Sequence, residues 1–373
     1  MIIGIDASRN KSGGAVAHIV GILKHFDISK HNIEKVHLWS YLKLLDQIPD
    51  YPWLVKHSPR LVSFNILAQL FWQRFLLKKE AESFGCSVMF DTDAGSVSKF
   101  RPYVTMSQDL LKFEKGSQKY YRLGLARLRL FLLYFIQIAS FRNSNGTIFL
   151  TEYSSKVIQE HTGKLKRIKI IPHGIDVTFN EKVNLRESLV NSNIKLLYVS
   201  PIQEYKNHIP VMKAIHLLYQ WNSNVNITFT GDNSSDFAAE VIKFSKELDP
   251  SGRFIHFVGN IQHSSLAEYS RLFDIVVFAS SIENMPITLM ESMRLGMPIA
   301  CSNRGPMKDV LRDSGVYFDP EIPDDIFNAI KLIIANNELR FQLAEKARKY
   351  SMDYSWEKCS EETFSFLTSS IIY

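Results

Sequence analysis

At 373 residues, 46% hydrophobic and 22% charged, the chain has the length of two ordinary domains and a globular composition, which excludes a disordered or fibrous protein. Three cysteines, Cys86, Cys301 and Cys359, are too few and too scattered for a disulfide framework or a metal-ligand cluster, and they fit a reducing cytoplasm. The net charge of +6 hides an asymmetry: residues 1–180 hold 25 Lys+Arg against 14 Asp+Glu, residues 181–373 hold 19 against 24, and an anionic partner is expected only at the first half.

In chain order, MIIGID reads as a buried strand (Ile2–Ile5) and not as a secretion signal, so a cytoplasmic location is expected. Further strands are predicted at Val36–Trp39, Ser87–Phe90, Tyr103–Thr105, Thr147–Leu150 and Ile168–Ile171. Helices are predicted at Ala15–His25, Asn65–Phe84, Gln118–Arg142 and Ser154–Glu160. The apolar run Leu130–Phe141 is about half the roughly 20 residues a bilayer span needs. The polar stretch His173–Asn193 reads as a linker.

The pattern then restarts. Strands are predicted at Lys195–Val199, Asn226–Thr230, Phe254–Val258, Ile275–Phe278 and Pro298–Ala300, alternating with helices at His208–Trp221, Asp236–Glu247, Ser265–Leu272, Pro286–Leu295, Pro306–Leu311 and Asp324–Ala335. Two more helices follow, near Glu338–Tyr350 and Ser355–Ser369. Strand–helix alternation of this kind makes parallel sheets with crossover helices, an α/β fold.

The segment FASSIENMPITLMESMRLGMPIA, Phe278–Ala300, runs strand, loop, helix, turn, strand. Glu283 falls in the loop and Glu291 on the helix. Asn284 is expected to cap that helix, Pro286 to sit in its first turn, and Gly296 to end it. A helix start above the carboxyl edge of a parallel sheet suits a diphosphate. Two carboxylates beside it suit the hydroxyls of a sugar.

The paired glutamates, followed by Gly-x-Pro and a strand, resemble family 4 of the retaining glycosyltransferases, and the resemblance covers nearly the whole chain. It implies the GT-B architecture, two Rossmann-like domains with parallel sheets facing across a cleft. These would be residues 1–175, holding the acceptor, and 190–354, holding a nucleotide sugar, with the helix near 355–372 able to pack back on the first. The resemblance gives Glu283 the hydroxyls of the transferred sugar and Glu291 the nucleotide ribose. Asn284, Met285 and Ile287 would line the donor site, although the loop lacks the family's Glu-Gly-x-Gly glycines. In YVSPIQEYKNH, Lys206 matches the family's diphosphate-binding lysine, while Pro201 stands where its arginine is expected. Gly13 and Gly14, after Ser12, would face the diphosphate across the cleft. Gln108 takes the place of a histidine near the acceptor, and glutamine cannot serve as a general base. IPHGID, Ile171–Asp176, resembles the segment leading into the interdomain linker, which makes His173 a hinge residue. Gly231-Asp232 and Gly259-Asn260 resemble loops around the base.

The implied reaction moves a hexose-type sugar with retention from a UDP- or GDP-sugar to a glycan acceptor, without metal or other cofactor. Asp91-Thr92-Asp93 mimics the metal motif of a different transferase fold and lies in the other half. Basic and aromatic residues interleave at Lys112, Lys115, Lys119, Arg122, Arg127, Arg129 and Arg142, and in FWQRFLLKK, Phe71–Lys79. They suggest a protein peripheral on the inner face of the membrane, with a polyprenyl-diphosphate-linked acceptor in surface-polysaccharide assembly, O-antigen or lipopolysaccharide-like. No nucleic-acid module is recognisable. The alternative is a silent member of the fold that binds a nucleotide sugar beside a partner enzyme.

Overall fold

Two parallel sheets, each with its own core, organise the chain in a computed structural model. It describes residues 1–11, 13–120, 125–189 and 192–371, with side chains left out at 118 and 125–129. Ser12 and Arg122, and the side chains of Arg127 and Arg129, therefore lie outside the described residues. The chain divides into one unit of Met1–Gly174 with Tyr354–Tyr373 and a second of Ile175–Asp353.

The first unit runs β1 (Ile2–Asp6), α1 (Gly13–Lys24), β2 (Lys35–Trp39), α2 (Leu42–Leu45), β3 (Leu54–His57), α3 (Arg60–Phe64), α4 (Ile66–Phe75), α5 (Leu77–Ser83), β4 (Val88–Asp91), β5 (Tyr103–Met106), α6 (Leu125–Asn143), β6 (Gly146–Phe149), α7 (Glu152–Thr162) and β7 (Ile168–Ile170). Its seven strands are ordered β3-β2-β1-β4-β5-β6-β7, and every pair is parallel. The central strands β4, β5 and β6 are buried at every residue, as strands covered on both faces must be.

The second unit runs β8 (Ile194–Val199), α8 (His208–Trp221), β9 (Val225–Thr230), α9 (Asp236–Leu248), β10 (Ile255–Phe257), α10 (His263–Ser270), β11 (Ile275–Phe278), α11 (Ile287–Leu295), β12 (Ile299–Ser302), α12 (Met307–Leu311), β13 (Val316–Phe318), α13 (Pro323–Ala335) and α14 (Asn337–Ser351). The order is β10-β9-β8-β11-β12-β13, again parallel. Leu196, Ile227, Ile275 and Ala300 from four strands join Val211, Ile215 and Ile330 from the helices in one core.

The last helix, α15 (Trp356–Ser369), belongs to the first unit. It packs on α1, where a Cβ at Gly21 would lie 2.4 Å from the Trp356 ring, and Ser360 Oγ donates to Ile22 O at 2.7 Å. Only a glycine lets the indole lie that close.

Several sequence expectations are corrected. The single helix expected over Asn65–Phe84 is α4 and α5, broken at Leu76, and Asn65 caps α4 by accepting from Ala68 N at 2.9 Å. The segment expected to be a linker is built into the second unit: Val183 N donates to Leu295 O at 2.8 Å, and Arg294 Nη1 donates to Asn180 Oδ1 at 2.7 Å. Asn284 does not cap α11. The cap position is Pro286, without a side-chain hydrogen bond. Gly296 does end the helix, in the left-handed conformation at φ 69°.

Candidate active site

In the second unit the chain order reverses between β8 and β11, and loops after those strands diverge from one point on the carboxyl edge. Open α/β sheets bind ligands at such a switch point. After β8 the chain makes a short 3-10 turn, Glu204–Lys206, and then Asn207 enters α8 at φ 55°. That left-handed backbone costs a non-glycine residue about 1 kcal/mol, and side-chain bonds offset it. Asn207 Nδ2 donates to Ala279 O and to Ser281 Oγ, each at 2.7 Å, and Ser281 N donates to Tyr205 O at 2.7 Å. The loops after β8 and β11 are thereby stapled together.

The staple sets Lys206 against Glu283. Lys206 Nζ donates to Glu283 Oε1, with the two side chains only 11% and 16% exposed. The pair spans 77 sequence positions and depends on both loops being fixed. Tyr198, on β8, supports the lysine from below through its hydroxyl, which donates to Lys206 O at 2.6 Å. Burial, then the negative charge of Glu283, pushes the Tyr198 phenol well above its ordinary range. His208 lies behind, its imidazole held down to about 3 by burial and by the neighbouring Lys206 charge, so it stays neutral.

Asn284 and Met285 continue the loop as buried residues, and Ile287 opens α11 half-buried. The start of α11 has no side-chain cap, which leaves its positive end to attract an anion. Glu291, one turn further on, is 2% exposed. Its Oε1 lies 2.6 Å from His263 Nε2 at the first residue of α10. Burial pushes the Glu291 carboxyl above its usual range, and the bond to His263 offsets only part of this. His263 responds in the opposite sense: the bond to Glu291 raises its pKa against the effect of burial. His263 was missed in the sequence, where nothing links it to a glutamate 28 residues away.

The loops expected around a base adjoin the same edge. Gly231, at φ 145°, passes so near the first loop that a Cβ would lie 2.2 Å from Ser200 O, and its N–H donates to Gly259 O at 2.9 Å. Lys206, Glu283, Asn284, Met285, Ile287 and Glu291 thus lie together on one unit.

The remaining expected residues lie on the first unit. Gly13 begins α1 at φ 62°, with open space where a Cβ would be, and Gly14 follows it. Gln108, beyond β5, is half-buried with Nε2 3.3 Å from Met106 Sδ. His173 is buried, its Nδ1 3.1 Å from His18 Nδ1, and desolvation holds it near neutrality down to about pH 3. Asp93 of the metal-like motif is paired with Arg9 at 2.9 Å. Among the described residues no cluster of His, Cys, Asp and Glu has the makings of a metal site.

Two successive Rossmann-like units of seven and six parallel strands define the GT-B class of fold. The whole chain superposes on solved structures of that kind. Sucrose-phosphate synthase from Thermosynechococcus elongatus matches with a TM-score of 0.80 at 16% identity, over 99% of this chain and 98% of that one. The Anabaena protein HepE in complex with UDP-glucose matches with a TM-score of 0.75 at 16% identity, over 99% and 100%. In sequence, O-antigen chain mannosyltransferase B of Escherichia coli is 24% identical over 169 residues, 45% of this chain and 44% of that protein. The chain spans about half the length of the first curated relatives it matches. Residues 181–350 match the family described as Glycosyl transferases group 1.

Proposed function

We propose that the chain is a retaining hexosyltransferase that uses a nucleoside-diphosphate sugar and a lipid-linked glycan acceptor in the assembly of cell-surface polysaccharide. The observation that carries the reading is the Lys206–Glu283 pair beside the uncapped start of α11, with Glu291 on the same helix. A cation and a helix start receive a diphosphate, and carboxylates receive the hydroxyls of the sugar and ribose. Support comes from relatives whose names include a UDP-glucose complex and an O-antigen mannosyltransferase.

In the proposed reaction the bond from the anomeric carbon to the diphosphate oxygen breaks. The acceptor oxygen bonds to that carbon on the same face, and its proton passes to the departing diphosphate. Lys206 first exchanges Glu283 for phosphate oxygen and then balances the charge that grows on the leaving group. Glu283, released, accepts from sugar hydroxyls. Gln108 orients the acceptor hydroxyl by hydrogen bonding, and Gly13 and Gly14 let the ligand approach the backbone.

A membrane-bound acceptor is favoured by the first unit's surface. Phe64 and Leu67 are 79% and 74% exposed, and Phe71, Phe75, Phe131 and Phe135 are each more than half exposed. Arg74 lies among the first four of these in sequence, with Arg60 before them and Lys78 and Lys79 after them. Among the described residues no helix is long and apolar enough to cross a membrane. Flotation is expected with anionic vesicles and not with neutral ones; equal binding to both, or none, rejects this part.

The test of the reaction is turnover by purified protein with UDP- and GDP-sugars, read as donor hydrolysis or transfer. Donor consumption that falls about 100-fold in Glu283→Ala supports the reading. Consumption unchanged in that variant overturns the role of Glu283. Nucleotide binding without turnover on any acceptor would favour the silent alternative, which Pro201, Pro286 and Gln108 motivate.

A further inference from the structure

We propose that His263 is a positioning residue for the nucleotide: it keeps the Glu291 carboxylate ionised and turned so that one oxygen remains to accept from a ribose hydroxyl. The inference rests on the donor-site reading above and deepens it.

Glu291 is a carboxylate in a place where burial should forbid one. It is 2% exposed within α11, and one oxygen, Oε1, is held by His263 Nε2 at 2.6 Å. The other, Oε2, is buried and has no hydrogen-bond partner within the protein. An unmet buried acceptor costs about 1–3 kcal/mol, and more when charged. A structural role would not require it, since an apolar residue would fill the helix face without that cost. A ligand hydroxyl satisfies the oxygen, and a vicinal diol such as ribose carries two suitable donors.

His263 is built to serve such a group. It stands at the first residue of α10, with its ring against Phe179 at 5.5 Å between centroids. Its side chain remains 58% exposed while Nε2 holds the carboxylate. The neighbouring charges are few. Asp176, at the start of the turn Val177–Phe179, adds negative potential that raises the pKa values of both His263 and Glu291. On α11, Arg294 is committed to Asn180, Ser351 Oγ and Ser351 O. The imidazole is thus the group that answers the Glu291 charge.

The sign follows from the two shifts. Glu291 is raised by burial, and His263 pulls it partly back. Without the imidazole the carboxyl rises further, and a larger fraction is neutral on the acid side. A neutral carboxyl is the poorer acceptor for hydroxyl donors. Loss of His263 therefore weakens nucleotide binding most at low pH, and the deficit narrows as pH rises and Glu291 ionises.

The experiment titrates UDP and GDP into the full chain at about pH 6 and about pH 8.5, which bracket imidazole ionisation. Wild type, His263→Ala, His263→Gln, Glu291→Gln and the double variant His263→Ala/Glu291→Gln are compared. His263→Ala is expected to weaken the bound nucleotide about 10-fold near pH 6 and less near pH 8.5. His263→Gln, which keeps a neutral donor, recovers part of the loss. In the Glu291→Gln background, His263→Ala adds no further loss. Wild-type affinity in His263→Ala at both pH values, or fully additive losses in the double variant, overturns the inference and leaves the donor site standing. If wild type binds neither nucleotide, the donor reading itself falls and this inference falls with it.

Discussion

The carboxyl edges of the two sheets can be compared strand for strand, because β1 and β4 in one occupy the places of β8 and β11 in the other. Both edges gather buried charge at the point where the chain order reverses. In the first unit the carboxylates of Asp6 and Asp93 are answered within the protein. Asp6 accepts from Gln73 Nε2 at 2.7 Å and Ser8 N at 3.1 Å, and Asp93 accepts from Arg9 Nε at 2.9 Å and Gly95 N at 2.9 Å. In the second unit Lys206 meets one carboxylate, and Glu291 meets one partly exposed imidazole. The same topology thus supports a denser polar network in one unit, where Arg9 Nη1, Gln73 Oε1 and Asp91 Oδ1 nevertheless lack partners, and in the other a few charges with bonding capacity to spare.

Substitutions should separate the two edges. The largest effect is expected from Lys206→Ala, which removes the cation proposed to balance the leaving diphosphate. Turnover per folded molecule should fall about 100- to 1,000-fold, and thermal stability should fall as well because Glu283 is left buried without its cation; steady-state rates beside a melting curve separate the two. Arg9→Ala is expected to lower stability alone. It strips the cation from Asp93, whose carboxyl is pulled below the ordinary range by Arg9 and the Gly95 amide despite its burial. Because the pair is partly exposed, the loss is set at about 2 kcal/mol, below the figure for fully buried pairs. That stability is present above the unfolded carboxylate range and lost as pH falls, so the variant's deficit in denaturant melts should shrink in acid. Nucleotide affinity per folded molecule should be unchanged.

The smallest effect concerns Asp91. Burial, and then the neighbouring Asp6 charge, pushes its carboxyl well above the usual range, so the folded chain holds this proton at pH values where the unfolded chain has already lost it. The native form is favoured in acid and loses stability as pH rises from the unfolded value toward the folded one. Asp91→Asn, already neutral, should be more stable than wild type by about 1 kcal/mol at neutral pH, with the gap closing in acid. A gap that widens in acid would refute the assignment.

Much of this was legible in advance because it is local. Alternating apolar strands and amphipathic helices mark both sheets, and Gly296 ends α11 where a left-handed residue is needed. What escaped was short or tertiary. β3 and β13, of four and three residues at the sheet edges, are two such elements. The break at Leu76 follows no glycine or proline, so α4 and α5 read as one helix. Pro286 was expected inside α11 and sits at its cap, a one-residue difference that takes the capping role from Asn284. At the site, residue types and spacing suggested Glu283 and Glu291, and the family resemblance suggested Lys206. Their partners are fixed by Asn207 and by His263, whose contacts cross between loops and helices and leave no trace in local pattern.

The central claim is that the edge of the second unit takes a nucleoside diphosphate through Lys206. Isothermal titration of UDP and of GDP into wild type and Lys206→Ala tests it directly. Saturable one-to-one binding of at least one nucleotide, weakened about 10-fold or more in the variant, is the predicted result. Equal affinity in both proteins, or heat from neither nucleotide, would contradict it.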